Sequence, residues 1–514
     1  MLTYIVRRVL FMIPTLVGIT LLVFLLLAGS PGGIGAGLLV AGGGAMQSQS
    51  AIAIQRAKLE DRYGLNEPVL VQYVRWLGRI SPIKFGQRDL ISPSGELVVK
   101  PRPVPAPAAW NWFTPSLPAA SADVAAQVAA KYSGLDPVQR ARLFQRAEAD
   151  YISARANFTA ADALLRDGLK SYAESAHRRD LIDSAGNPII RRFVAMQPDR
   201  ANPEFAEVER LGREAIVAFQ AAVDARETLV AGMRAEPYPK AGVSILPGLL
   251  SLSWPDLGVA FSRGKPVIDL LADALPVTLM LNLIAFPIIY SVAIPSGMVA
   301  ATRKGQWPDV VLGMLYIALF SIPAVLAGVV LQGYLATPDY FNAFPTAGLH
   351  SKGSETFTFL PSTTAAGQWN RGWLLDALWH VVLPVTCLVY SGFAVLSKQT
   401  RAAMLENFNA DYVRTAKAKG VAPRDVILRH VFRNSLLPLI TLFVTIFPAM
   451  LAGSVVIERI FSIPGMGMLL IDAINLRDRE LILANTTMVA VVNLLALLLA
   501  DILYAIADPR ITYK

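Results

Sequence analysis

The sequence is poor in the groups that most chemistry needs. Cys387 is the one cysteine in 514 residues, so no intrachain disulfide can form, and its place inside an apolar run reads as a buried thiol. The four histidines, His177, His350, His380 and His430, are scattered, with no partner at metal-ligand spacing, so no metal site is expected. Charge is scarce too. Asp, Glu, Lys and Arg make up 17% of the chain against 54% hydrophobic residues, more apolar than a soluble globular protein carries, which indicates a membrane protein. No G-x-x-x-x-G-K-[ST] phosphate loop occurs, so nucleotide is not held here by that device. The apolar runs have almost no ionisable side chain in their central turns; Asp501 comes nearest and lies close to one end. Ion-coupled transporters and proton pumps place Asp, Glu or His mid-membrane, so the energy source is expected elsewhere. No run carries a polar or charged stripe, which argues against an autonomous channel.

What is present is a set of six apolar runs. They are Val9–Ala28, Pro276–Ala301, Asp309–Ala336, Ala377–Ser397, Leu436–Ile457 and Leu481–Ala507. A run of about 20 residues matches the thickness of bilayer hydrocarbon. The first is longer than the ~7–15 residues of a secretory signal core, so it is expected to be a retained span rather than a cleaved leader. Cations sit at one side of the runs: Arg7 and Arg8, then Arg303 and Lys304, then Lys398 and Arg401. That pattern explains the net charge of +9 as positive-inside bias and puts both termini in the cytoplasm; a nucleic-acid surface would need a compact basic patch with interleaved aromatics. Pro287, Pro295 and Pro323 are expected to kink their helices.

Between the first two runs the chain is of another kind. Gly32–Gly44 reads as loop, and 51–80 as an amphipathic segment broken by Gly64 and Pro68. Pro101–Pro118 is too rich in proline for helix and reads as an extended linker. Ser121–Lys170 and Pro203–Arg234 show helical spacing of Ala and Leu, which predicts a solvated helical hairpin or small bundle. The expected organisation is 1–89 for the first span and the amphipathic segment, 90–256 for an inserted external domain, and 257–514 for a five-helix core containing a cytoplasmic loop at 398–435.

The most informative stretch is Asp411–Pro438, DYVRTAKAKGVAPRDVILRHVFRNSLLP, basic and too polar to cross a bilayer. Asp411 is placed to cap a helix bearing Arg414, Lys417 and Lys419; Gly420 suits a left-handed helix end; Pro423 suits the first turn of a second helix running to Asn434. This segment resembles the cytoplasmic EAA loop of ABC importer permeases, in the form found in the peptide and nickel importer family. Arg414, Thr415 and Ala416 stand where the general pattern has Glu-Ala-Ala, and the gap from Gly420 to Pro438 is longer than usual; both are traits of that branch. Ser321-Ile322-Pro323, the turn Phe461-Ser462-Ile463-Pro464-Gly465-Met466-Gly467, and Asp508-Pro509-Arg510-Ile511 are similar to further motifs of the family, as are Asp256-Leu257-Gly258 and Lys265-Pro266-Val267.

The resemblance covers 1–81 and 257–514. It implies an all-α membrane protein of six transmembrane helices, the ABC importer permease fold, with a helical extracytoplasmic insertion domain. It also implies a transporter subunit that is not itself an enzyme, in the bacterial cytoplasmic membrane. The expected partners are a second homologous permease, two cytoplasmic ATPase subunits that bind ATP-Mg, an extracytoplasmic substrate-binding protein and membrane lipid; this chain needs no cofactor and no nucleic acid. Residues expected to couple to the ATPase are Asp411, Tyr412, Arg414, Thr415, Ala416, Lys419, Gly420, Ala422, Pro423, Arg424, Asp425 and Arg429. Pro438, Pro464, Gly465 and Gly467 are expected at structural turns. Cargo would be di- or oligopeptide, with nickel or another small solute as the alternative, and a permease-fold scaffold or sensor whose external domain binds a partner as the reading from a different class.

Overall fold

The structure is a computed structural model and describes residues 2–29, 64, 67–86, 88–93, 97–98, 100–120, 123–183, 186–260, 262–363 and 369–507. The Gly32–Gly44 loop and the motif Asp508–Ile511 lie outside them. The chain divides into two compact units, Met1–Ser30 with Leu257–Lys514, and Pro31–Asp256. The amphipathic segment, grouped above with the first span, falls in the second unit.

The membrane unit is helical because lipid offers no partner for a free backbone polar group. Among the described residues, helices Leu2–Ala28, Val267–Thr302, Gly372–Phe408 and Arg479–Ala507 are long and apolar enough to span. Arg433–Ile460 covers the expected fifth run; its side chains 443–454 lie outside the described residues. Val267–Thr302 and Gly372–Phe408 form the centre. Gly297 lies where a Cβ would be 2.6 Å from the Ser397 carbonyl oxygen, and Gly392 where one would be 2.8 Å from Ile289. Small residues thus let the two backbones approach, as they must where lipid gives helices no hydrophobic drive to associate. Leu281, Ile289, Leu388, Leu396, Ile457 and Phe461 fill the core around them.

The third span departs from expectation. A kinked helix from Asp309 to Ala336 was expected; instead Trp307–Ser321 and Ala324–Ala336 meet at 86°. Proline disfavours helical geometry at the residue before it, and Ile322 is extended, with φ −86° and ψ 116°. The released Ile322 carbonyl accepts from the Tyr390 hydroxyl at 2.7 Å, so the break is satisfied. Pro287 and Pro295, by contrast, stay inside one continuous helix.

The turn after the fifth span is built on a buried carboxylate. Glu458 accepts from the Thr278 hydroxyl at 2.8 Å and the Met468 N–H at 2.9 Å, while Thr278 accepts from the Met466 N–H at 2.8 Å. Pro464 and Gly465 lie in the turn, and Gly467 in the first turn of a helix absent from the sequence reading, Met466–Asn475. A Cβ on Gly465 would meet the Glu458 carboxylate at 2.5 Å, and one on Gly467 the Val455 Cα at 2.4 Å. These glycines serve close approach; the left-handed residue of the turn is Ser462. The last helix starts at Arg479 rather than Leu481, with Asp478 accepting from the Leu481 N–H.

In the second unit the helical pair is Pro137–Ser175 and Phe205–Arg234. Asp136 and Gln139 close a capping box at the start of the first. The expected linker is instead a packed strap: Ala108 and Ala109 are fully buried, and Trp112 stacks edge-on against Tyr172 and donates to the Phe193 carbonyl. Proline removes the strap's own donors, and Asp162 and Arg226 from the helices bond to its backbone. Short strands, which the sequence did not suggest, complete the unit: β1 (Ile83–Phe85), β2 (Leu90–Ile91), β3 (Leu97–Val98), β4 (Val243–Leu246) and β5 (Leu250–Leu252). The antiparallel order β1-β5-β4 joins the two ends of the insertion, and the Ser253 N–H donates to the Pro82 carbonyl at 2.9 Å.

Candidate coupling site

The basic loop folds as a short helix, a glycine turn and a second helix. The first helix is Asp411–Ala418. Asp411 does not cap it: Ala410 holds the extended capping position, and Asp411 is the first helical residue, its carboxylate 3.6 Å from Arg414. At that position its charge still complements the positive end of the helix dipole. The Thr415 hydroxyl donates to the Asp411 carbonyl at 3.0 Å.

The helix ends in a full Schellman turn. The Gly420 N–H donates to Lys417 and the Val421 N–H to Ala416, with Gly420 at φ +75°. Nothing lies within 4 Å of where its Cβ would be, so glycine is required by the backbone angle alone. Ala422 then takes the extended capping position and Pro423 the first helical one, where a missing N–H costs nothing.

From Pro423 the chain stays helical through Asp425, widens to π turns over Val426–Phe432, and runs directly into Arg433–Ile460. The fifth membrane helix and the basic segment are therefore one rod. Pro438 lies inside it and marks no turn, contrary to expectation; a bilayer-bound helix tolerates proline when neighbours absorb the freed carbonyl. Val426 and Val431, five apart, both point inward, as i to i+5 bonding allows. With Val413, Ala416, Met404 and Ala301 they make a small core that fixes the loop onto the ends of the second and fourth membrane helices. Ala416, expected among the coupling residues, is buried there, so its side chain offers no docking surface.

Polar ties reinforce that core. Asn407, at the end of the fourth helix, accepts from the Tyr412 hydroxyl at 2.6 Å and donates to Ser435 Oγ at 3.1 Å. Arg401 grips Asp309 through two bonds, 2.6 and 2.8 Å, tying the third span's start to the fourth helix. Arg401 was read as a flanking cation; its bidentate fork does more than neutralise headgroups. The outward surface carries Arg414, Lys417, Lys419, Ala422, Pro423, Arg424, Leu428 and Arg429, all exposed. Asp425 pairs with Arg429 at 3.2 Å, which leaves the surface strongly basic.

Residues 293–513 match the family described as the binding-protein-dependent transport system inner membrane component. The oligopeptide transport system permease protein AppB of Bacillus subtilis is 36% identical over 259 residues, covering 50% of this chain and 76% of its own. The chain belongs to this family. The inner membrane ABC transporter permease protein YejB of Escherichia coli is 35% identical, covering 50% and 68%. The dipeptide transport system permease protein DppB of E. coli is 33% identical, covering 50% and 77%. A chain of the MetNI methionine ABC transporter overlaps 47% of this chain at 13% identity with a TM-score of 0.34, too low to bear on the fold. The family match lies wholly within the membrane unit and includes the entire basic loop. As a family member the chain is a multi-pass inner-membrane component of a transport system that depends on other proteins, one of them a binding protein. The ties made by Asn407, Ser435 and Asp309 escaped the sequence reading, since single polar residues at helix ends carry no periodic signal.

Proposed function

We propose that this permease moves di- or oligopeptides across the cytoplasmic membrane by alternating access, powered by two cytoplasmic ATPases that bind Mg-ATP. A sister permease completes the path, an external binding protein delivers cargo, and both termini and the basic loop are cytoplasmic. The reading rests on the loop. Its exposed cations and its short apolar stretch, Ala422 and Pro423, stand on a segment packed against two membrane helices and continuous with a third. A segment that only anchored to lipid headgroups would gain about 1 kcal/mol per cation and would need no such rigid mounting. Cargo must bind the outward and inward forms with different strength, or it shifts neither. The names of the relatives favour peptide over nickel.

The test is a crosslink. Ala422→Cys and Arg424→Cys in the membrane-embedded complex should each join to an ATPase subunit, with a yield that changes on nucleotide binding. If neither position reaches an ATPase, the coupling role is lost; if the ATPase is reached but hydrolysis ignores peptide, the cargo is wrong and the coupling stands.

A further inference from the structure

The first helix of the third span, Trp307–Ser321, and the fourth membrane helix, Gly372–Phe408, leave a groove of about 760 Å³ between them. Val310, Met314 and Ile317 line it at i, i+4 and i+7, so they share one helix face, and Met314 and Ile317 are 67% and 65% exposed. Gly313, in the same wall, has nothing within 4 Å of where its Cβ would be, which leaves a notch there. The hydroxyls behind the wall are spent on one another: Tyr316 donates to Ser296 Oγ at 2.7 Å, and Ser296 to Ser397 Oγ at 3.1 Å. The lining ends at Ser321, where the helix breaks. From Asp309 to that point is ~18 Å of helix, close to the ~15 Å depth of one leaflet's hydrocarbon.

The other end of the groove is basic. Lys398 lines it and is exposed, and Arg303 and Lys304, also exposed, stand on the turn whose Gly305 N–H donates to Asp309 Oδ2 at 2.9 Å. Lys304 is near enough to act on the Asp309 carboxylate. Asp309 is the one carboxylate among the lining residues, and the Arg401 fork already neutralises it. Among the described residues no carboxylate forms an ion pair with Arg303, Lys304 or Lys398. Ala301 and Met404, beside this end, belong to the core that holds the basic loop, so the mouth of the groove and the loop lie at the same end of the helices. An apolar cleft one leaflet deep, with unpaired cations at its mouth, is complementary to an amphiphile with a negative head, and basic pockets between membrane helices take anionic lipid headgroups. We propose that this groove binds one anionic phospholipid of the leaflet on the basic-loop side, its acyl chain along Val310, Gly313, Met314 and Ile317 and its phosphate at Lys398, with Lys304 of the adjoining turn. Trp307, 74% exposed at the start of the helix, stands at the headgroup level that aromatic side chains favour. The inference rests on the chain spanning a membrane and is independent of what it transports.

The experiment uses the full chain, with its copurifying partners, in phosphatidylcholine vesicles doped with phosphatidylglycerol whose acyl chain carries a diazirine, or with phosphatidylethanolamine carrying the same group. After irradiation, mass spectrometry of the digested chain should find several-fold more phosphatidylglycerol than phosphatidylethanolamine adduct on residues 310–317. Lys304→Gln combined with Lys398→Gln should abolish that preference. Gly313→Leu, at a position open to a Cβ, should fill the notch and cut the phosphatidylglycerol adduct several-fold, gel filtration confirming that each variant is folded. Equal labelling by the two lipids would show ordinary bilayer contact, and labelling by neither would show that a protein, the sister permease included, covers the groove; either result overturns the proposal. So would a preference that survives loss of both lysines, or an adduct that Gly313→Leu leaves unchanged.

Discussion

The Tyr412 hydroxyl donates to Asn407 Oδ1 over 2.6 Å, and through that one asparagine the basic loop is tied to the fourth membrane helix. The same side chain donates to Ser435 at the root of the fifth, so three elements share a single polar node. Loss of one such bond costs about 1 kcal/mol, a factor of about five in an equilibrium. Asn407→Ala should therefore loosen the loop without unfolding the spans, and more ATP should be hydrolysed per peptide delivered. An unchanged ratio in reconstituted vesicles would show that the node does not carry force.

Gly420→Ala tests the turn. A left-handed backbone costs a residue with a Cβ roughly 1–2 kcal/mol, and no steric clash adds to it at this position. Peptide-stimulated ATP hydrolysis should fall while the protein stays folded in the membrane, and Gly420→Asn should recover part of it, since asparagine tolerates this region. Equal loss in both variants would point to a contact rather than an angle.

Gly467→Ala should behave differently. Its Cβ would lie 2.4 Å from a backbone atom, which cannot swing aside as a side-chain end could. The expected outcome is low abundance and early thermal unfolding in detergent, with no rescue by asparagine.

Glu458→Ala leaves Thr278 and the Met468 N–H facing an empty site. Unpaired buried donors cost about 1–3 kcal/mol each, so the thermal midpoint should drop by several degrees. Glu458→Gln keeps one acceptor and should lie between wild type and alanine. A midpoint unmoved by either variant would show that this carboxylate holds nothing together.

Joining Phe85 to Leu250 through an Asn-Gly turn removes the helical pair and keeps the β1–β5 pairing. The shortened chain should still insert its membrane helices and retain its ATPases. Failure to insert would make the second unit part of the membrane fold.

Burial pushes the Asp89 carboxyl above its ordinary value, although Lys84 draws it back. Its folded form then holds the proton more tightly than the unfolded form, so its contribution to stability is complete below the unfolded value near 3.8 and is lost as pH rises through the raised one. Calorimetry of the second unit's transition should show falling stability upward from about pH 4, and Asp89→Asn should flatten that slope.

The long helices Leu2–Ala28, Val267–Thr302, Gly372–Phe408 and Arg479–Ala507 were legible because bilayer thickness fixes the length of such runs. Gly420 was legible because its backbone angle is one that few residues adopt, and Pro423 because the first helical position needs no N–H. The break at Pro323 was read as a kink, since the rescue of Ile322 by Tyr390 is distant in sequence. Glu458 was passed over because it sits just past the expected end of its span, where a carboxylate looks solvated. Two- and three-residue strands such as β1 and β5 are too short to show alternation, and the strap's proline content concealed its burial, because proline marks the lack of helix and says nothing of packing.

The run of helix from Pro423 to Ile460 extends about 55 Å, and the π turns of Val426–Phe432 and Pro438 are the places where it can bend. Under the coupling proposed above, a push on the basic end is passed on only as well as those turns stay stiff, so the π stretch, and not the membrane segment beyond it, sets how much of the movement is kept.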